Sequence, residues 1–210
     1  MRLEVLVEGG ADVPAVREVL TRRFGLTEGV DLRIHAHRGK GTLPADPDRP
    51  PVPQRRGLLD QLPAKLRGYA RAYAYADLTV VVLVDADDED CRALKQRIVA
   101  IYAAMNPRPA RLLVRIAVEE TESWFIADPN AIRAAYPKAR TTRLNGIPPD
   151  AVCGAWERLA EALGFDPRQC GPPDKYQWAE AIAPHLNLDG PASPSLRALI
   201  DGVGRALGTE

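Results

Sequence analysis

Leu78-Thr79-Val80-Val81-Val82-Leu83-Val84-Asp85-Ala86-Asp87 is the stretch on which the fold turns. The valine-rich run from Leu78 to Val84 has no polar alternation, so it reads as a strand buried on both faces, the condition of strands inside a parallel sheet. It breaks abruptly into acid, Asp85-Ala86-Asp87-Asp88-Glu89-Asp90. A strand that runs from a dry interior into a cluster of carboxylates marks the edge where open α/β sheets place their ligands.

Outward from this strand the pattern repeats. Upstream, Leu3, Val5, Leu6 and Val7 form a short apolar run ending at Glu8-Gly9-Gly10. Asp12 then offers an N-cap to a helix carrying Val13, Val16, Val19, Leu20 and Phe24, with Gly25 as its stop. A second strand is expected over 31–37. After Gly39-Lys40-Gly41 come Pro44, Pro47, Pro50, Pro51 and Pro53, too many prolines for helix or central strand, so 42–56 reads as an excursion loop. Leu58, Leu62, Leu66, Tyr69 and Tyr73 then mark one helix face. Downstream, Leu94, Ile98, Ile101, Tyr102 and Met105 stripe another helix, closed by Pro107 and Pro109, and 112–118 reads as a fourth strand ending at Glu119-Glu120. Strands alternating with helices predict a mostly parallel sheet flanked by helices. After Trp124 only helical patterns remain: one around Val152, Trp156, Leu159 and Leu163; one behind an Asp174/Gln177 capping box with Trp178 and Ile182; and one opened by Ser193-Pro194. The expected organisation is an α/β domain over 1–128 and a helical region over 129–210 packed on it.

The composition fits a globular chain of one domain, or of one domain with a helical appendage: 210 residues, with 28 Lys and Arg balancing 28 Asp and Glu. Zero net charge excludes a generally polybasic binder but permits a local basic patch. Cys91, Cys153 and Cys170 are odd in number and lack C-x-x-C spacing, which argues against a disulfide framework and a structural zinc site. Glu4 interrupts what would be the apolar core of a signal peptide, and no segment approaches the ~20 apolar residues of a membrane span. The expectation is a cytoplasmic protein with no membrane association.

Three of the four expected strands end in acid: Glu8, then Asp85 and Asp87, then Glu119, Glu120 and Glu122. Brought to one sheet edge, such carboxylates repel, raise one another's pKa and call for cations. An all-oxygen donor set favours a hard ion, Mg²⁺ or Mn²⁺, which keeps waters and takes substrate phosphate as a further ligand. Each piece also has a plainer reading. Glu8 before two glycines suits a turn; Asp88, Glu89 and Asp90 suit a solvated helix start; Glu120 and Glu122 suit a helix entry. Gly9-Gly10 is not a dinucleotide fingerprint, no phosphate-binding loop is present, and an EF-hand reading of 85–90 fails for want of its central glycine.

Glu8-Gly9-Gly10-Ala11-Asp12 after one strand and Asp85-Ala86-Asp87 after another resemble the TOPRIM pattern shared by topoisomerases, primases and the overcoming-lysogenization-defect (OLD-type) nucleases. More narrowly, Glu120-Thr121-Glu122-Ser123-Trp124-Phe125-Ile126-Ala127-Asp128 is similar to a segment of a bacterial TOPRIM-like family, the domain-of-unknown-function family 4276. Arg38-Gly39-Lys40-Gly41, the stretch from Lys175 to Trp178 and Ser193-Pro194-Ser195-Leu196 resemble it too, so the likeness spans nearly the whole chain. The resemblance implies that Glu8 is a general acid/base or metal contact, that Asp85 and Asp87 hold a first Mg²⁺, and that Glu120 and Glu122 serve a second. It also implies a setting in phage defence beside a separate ATPase. The late lysine of TOPRIM nucleases has no secure counterpart; Lys40 and Lys175 are the two substitutes.

Between Arg33 and Arg71 stand nine basic residues against three acids, a local charge of +6 in a neutral chain. Phosphate contacts dominate nucleic-acid affinity, so this segment, with Arg55-Arg56 on the proline loop, is a candidate backbone contact, and Lys40 between two glycines is the sharpest candidate for phosphate. The plainer reading is a solvated helix face. His35 and His37 share a strand face, as a metal pair or as ordinary polar-face residues, and Trp124, Trp156 and Trp178 read as packing residues in helical patterns. The leading expectation is therefore a divalent-metal-dependent, phosphodiester-cleaving enzyme of TOPRIM type acting on DNA or RNA, with Glu8, Asp85, Asp87 and Lys40 as catalytic residues. The alternatives are a non-catalytic regulatory or scaffolding subunit that binds metal or nucleic acid, and, ranked below both, a receiver-like phosphoacceptor.

Overall fold

The computed structural model describes residues 1–87, 89–118, 120–150 and 154–209; Asp88, Glu119, Val152 and Cys153, which enter the sequence reading, lie outside the described residues. Four strands, β1 (Arg2–Val7), β2 (Leu32–Ala36), β3 (Leu78–Asp85) and β4 (Arg111–Ala117), form one sheet in the order β2-β1-β3-β4. All three pairings are parallel, with Val5 opposite Ile34 and Val81, and Val81 opposite Leu113. The connections are α1 (Asp12–Phe24), α2 (Leu58–Ala72) and α3 (Cys91–Ala104).

The continuous apolar character of β3 follows from its central place. Val81 and Leu83 face one core and Val80, Val82 and Val84 the other. On the second face α2 and α3 supply Leu58, Leu62, Leu66, Leu94 and Ile98. On the first, α1 is joined by the whole C-terminal part: α4 (Glu122–Ile126), α5 (Pro129–Ala135), α6 (Ala155–Leu163), α7 (Pro172–Ile182) and α8 (Pro194–Leu207). Leu3, Val5 and Val16 share that core with Trp124, Leu159, Trp178 and Leu199, so the late helices bury their apolar faces against the sheet layer itself. No helix among the described residues is long and apolar enough to cross a membrane.

Element boundaries shift where side chains do something other than cap. Helix α1 has Ala11, not Asp12, at its N-cap; Asp12 is the first helical residue, and its carboxylate turns back to accept the Gly9 N–H at 2.9 Å. Gly25 ends α1 as expected, at φ +66°, a left-handed conformation that costs glycine nothing. Helix α7 starts earlier than its capping-box signal, because Pro172 occupies its first position and Asp174 accepts the Gly171 N–H at 2.8 Å. Helix α6 begins at Ala155. Short α4 and α5 fill the stretch where the strand signal fades; too brief to show a helical stripe, they are held by burial of Trp124, Phe125, Ile126 and Ile132.

Candidate active site

The parallel sheet brings the carboxyl ends of β1, β3 and β4 to one edge, and the acids converge there. Glu8 follows β1, and its Oε1 accepts the backbone N–H of Asp85 at the end of β3, 2.8 Å away. The link crosses from one strand end to the next and fixes Glu8 beside Asp85. Asp12, at the start of α1, accepts from Gly9 N–H with one oxygen and from the Thr121 hydroxyl, at 2.9 Å, with the other. Thr121 precedes α4, so this bond ties the β1–α1 turn to the segment after β4. Helix α4 opens with Glu122, which is only 3 % exposed.

Lys175 enters from α7. Its ammonium lies 3.1 Å from Glu122 and 3.4 Å from Glu120, and 5.8 Å from the centre of the Trp156 ring. Glu120 also accepts the Trp156 backbone N–H at 3.1 Å. Five carboxylates therefore sense one another around one lysine: Asp85 feels the charges of Asp12, Glu8, Glu122 and Glu120, and Lys175 feels Glu122, Glu120 and Asp85.

Burial dominates the electrostatics. It pushes the Glu8 carboxyl up to about 7; the Asp85 N–H pulls it down, while Asp87 and Asp12 add to the rise. Burial likewise takes Glu122 to about 7 against the pull of Lys175, with Glu120 and Asp12 reinforcing it. Asp85 is raised well above the usual carboxylate range by burial and then by its acidic neighbours. Asp12 and Glu120 are raised for the same first reason, and Lys175 opposes the rise in both. Burial disfavours the charge on Lys175, but Glu122 and Glu120 outweigh it and hold the amine above its ordinary value. At neutral pH these acids carry less than their full charge, and a hard cation would draw out their protons.

The other expected residues lie at the rim. Asp87 adopts φ +49°, unusual for a side-chain-bearing residue, and pairs with Lys40 at 3.1 Å. Lys40 also donates to the Ala86 carbonyl at 3.0 Å and reaches Glu89 at 3.0 Å, so it straps the loop after β2 onto the loop after β3. Asp90 caps α3 through the Ala93 N–H. His35 and His37 do not form a pair: His35 meets the buried Glu4, and His37 meets the Val7 carbonyl at 2.8 Å. Trp124 and Trp178 are packed in the core, whereas Trp156 borders Lys175. Sequence reasoning gave Asp12 only a capping role; its third-position spacing from Gly9 was the one available signal. Lys175 was named only as an alternative to Lys40; each pairs with two acids, Lys175 with Glu120 and Glu122 and Lys40 with Asp87 and Glu89, and Lys175 also feels the charge of Asp85.

The donors suit Mg²⁺ or Mn²⁺ in kind, being carboxylates alone, crowded and partly protonated. In arrangement they stop short of a closed shell: among the described residues no group of three or more His, Cys, Asp or Glu side chains is drawn together into a ready coordination cage.

The family model described as Domain of unknown function (DUF4276) matches residues 7–204. No curated protein matches the chain. Two solved structures do. The C-terminal region of the Burkholderia pseudomallei OLD protein is 14% identical, with 98% of each chain covered and a TM-score of 0.51. The C-terminal region of the Xanthomonas campestris pv. campestris OLD protein is 17% identical, with 99% of this chain and 96% of that one covered, at a TM-score of 0.50. At such identity the likeness is one of fold, and it extends through the late helices as well as the sheet.

Proposed function

From the premise that the chain belongs to the DUF4276 family and has the TOPRIM-like fold of the OLD C-terminal regions, we propose that it is a divalent-metal-dependent enzyme that cleaves phosphodiester bonds in DNA or RNA. One observation carries this reading: Glu8, Asp12, Asp85, Glu120 and Glu122 are gathered from separate elements about Asp85, with Lys175 beside Glu120 and Glu122, although burial and mutual repulsion oppose their ionisation. A fold keeps such an unfavourable group of charges where a ligand compensates it.

Asp85 and Asp87, with Glu8, would hold a first Mg²⁺, and Glu120 and Glu122 a second. Bound there, the ion would supply an activated water and offset charge on the transferring phosphate. Glu8 has one oxygen engaged by the Asp85 N–H; the other would either join the ion's shell or accept a proton from a water the ion activates. Lys175 would be the cation for the scissile phosphate once a bound ion takes over its partners Glu120 and Glu122; Lys40 would keep its strap across the loops after β2 and β3. The exposed Arg38, Arg55 and Arg56 would contact flanking phosphates. The resemblance to phage-defence systems implies that any nucleotide-driven step would fall to a separate ATPase.

The test is cleavage of supercoiled DNA and structured RNA in Mg²⁺ or Mn²⁺. Wild-type cutting that is lost in Asp85→Ala and in Glu8→Gln upholds the proposal; metal binding without cutting, even with a co-encoded ATPase added, overturns it. A second reading, a non-catalytic subunit, is favoured by Lys175 itself, whose resident ammonium already satisfies Glu120 and Glu122.

A further inference from the structure

The turn from Glu8 to Asp12 has two sides. One side carries the carboxylates of Glu8 and Asp12 into the acidic cluster. The other forms a wall of an open recess of about 540 Å³, lined by Gly10, Ala11, Pro172, Pro173 and Tyr176, with Gln177 and Glu180 completing it. Helix α7 shares this division: Lys175 points into the acids, and its neighbour Tyr176 lines the recess. Arg17, paired with Glu28 at 2.6 Å, lies beside the Tyr176 hydroxyl.

The lining tells against a phosphate as occupant. It offers two proline rings, a tyrosine ring and a bare glycine turn; its one charged side chain, Glu180, is an acid. A flat, neutral group with apolar faces and a polar edge is the complement. Stacking on tyrosine and proline suits the faces, and the Gln177 amide and Glu180 carboxylate suit the edge.

We propose that this recess receives an unpaired nucleobase next to the phosphate held at the acidic cluster, so that the substrate is a single strand or a locally opened duplex. The inference rests on the proposed nucleic-acid chemistry and names the substrate class for it. A base inside a duplex is stacked and paired, and cannot turn its face to Tyr176 without leaving the helix. A base from a single strand reaches the recess freely, and aromatic stacking accepts any sequence.

Gly10 provides an independent way to close the recess. Its backbone is outside the left-handed region, and a Cβ built there meets nothing within 4 Å. Gly10→Leu therefore fills the recess without straining the turn, while Tyr176→Ala empties one wall.

The experiment measures binding of full-length protein, in Ca²⁺ as a hard cation in place of Mg²⁺ and with each strand's length checked after the measurement, to a fluorescein-labelled single strand of mixed sequence and to its duplex. The expected result is tighter binding of the single strand, with a roughly ten- to hundred-fold loss in Tyr176→Ala and in Gly10→Leu. Tyr176→Trp retains binding, and the duplex affinity hardly moves. Equal affinity of wild type and both variants, parallel loss on single strand and duplex, or no binding by wild type overturns the inference. The cleavage assay separates this from the catalytic proposal. Cutting by a wild type whose binding ignores Tyr176 removes the recess alone, and Tyr176-dependent binding without cutting upholds the recess and removes the catalysis.

Discussion

Replacing Glu122 by glutamine isolates the electrostatic cost of the acidic cluster. The glutamate carboxyl is raised from 4.5 to about 7, by burial first, with Lys175 opposing and Glu120 and Asp12 adding. Because the folded value lies above the unfolded one, the folded protein binds the extra proton between those two values. The stability this confers is complete below pH 4.5 and is lost as pH climbs through 7. A rise of this size corresponds to roughly 3 kcal/mol lost by pH 8. Glutamine has nearly the same shape and cannot ionise, so Glu122→Gln avoids that loss. For a chain of this length the gain is about 6–12 °C in Tm at pH 8, with nothing gained at pH 4. Thermal unfolding of wild type and variant at both pH values measures it directly. Adding Mn²⁺ at pH 8 should raise the wild-type Tm more than the variant's, since the ion would neutralise the same charge. A variant no more stable than wild type at pH 8, or equally stabilised at pH 4, would refute the account of the cluster as an unfavourable group of charges.

Lys175→Met leaves Glu120 and Glu122 buried without their cation; urea denaturation at pH 8 should show a loss of about 3–5 kcal/mol, largely recovered near pH 4 as the acids take up protons. In Gly202→Ala the new Cβ would overlap the Arg115 guanidinium, which donates to the Ala198 carbonyl at 2.6 Å, so the arginine must move and give up that bond. A loss of about 1–3 kcal/mol is expected, and it should shrink when Arg115→Ala is already present. Ser195→Ala removes the buried acceptor of the Trp124 indole N–H, 2.9 Å away, and should cost about 1–3 kcal/mol by chemical denaturation; Trp124→Phe in that background should add less than it does alone.

The strands were legible because each is a local apolar run, and their acidic ends were legible because the break in composition falls at the strand terminus. Parallel order then brings Glu8, Asp85 and Glu120 together without any further signal, since the carboxyl ends of all parallel strands share an edge. Asp12 was misread because an aspartate before an apolar stripe looks like an N-cap whatever its side chain does. Its bond to Thr121 joins residues 109 apart, and no local pattern encodes such a separation. The partners of Lys175 were hidden for the same reason: it meets Glu120 across 55 residues and through a helix that packs Trp178 into the core. Lys40 drew attention because glycines flank it, but those glycines let the loop bend toward Ala86 and Glu89. The short α4 was invisible to periodicity, since five residues hold little more than one turn.

Lys175 also sets an order of events during synthesis. A ribosome reading this chain emits Glu8, Asp12, Asp85, Glu120 and Glu122 well before it reaches the lysine that pairs with the last two. Until α7 docks, the nascent sheet edge is a patch of unanswered negative charge that repels any polyanion, the ribosome's own RNA included.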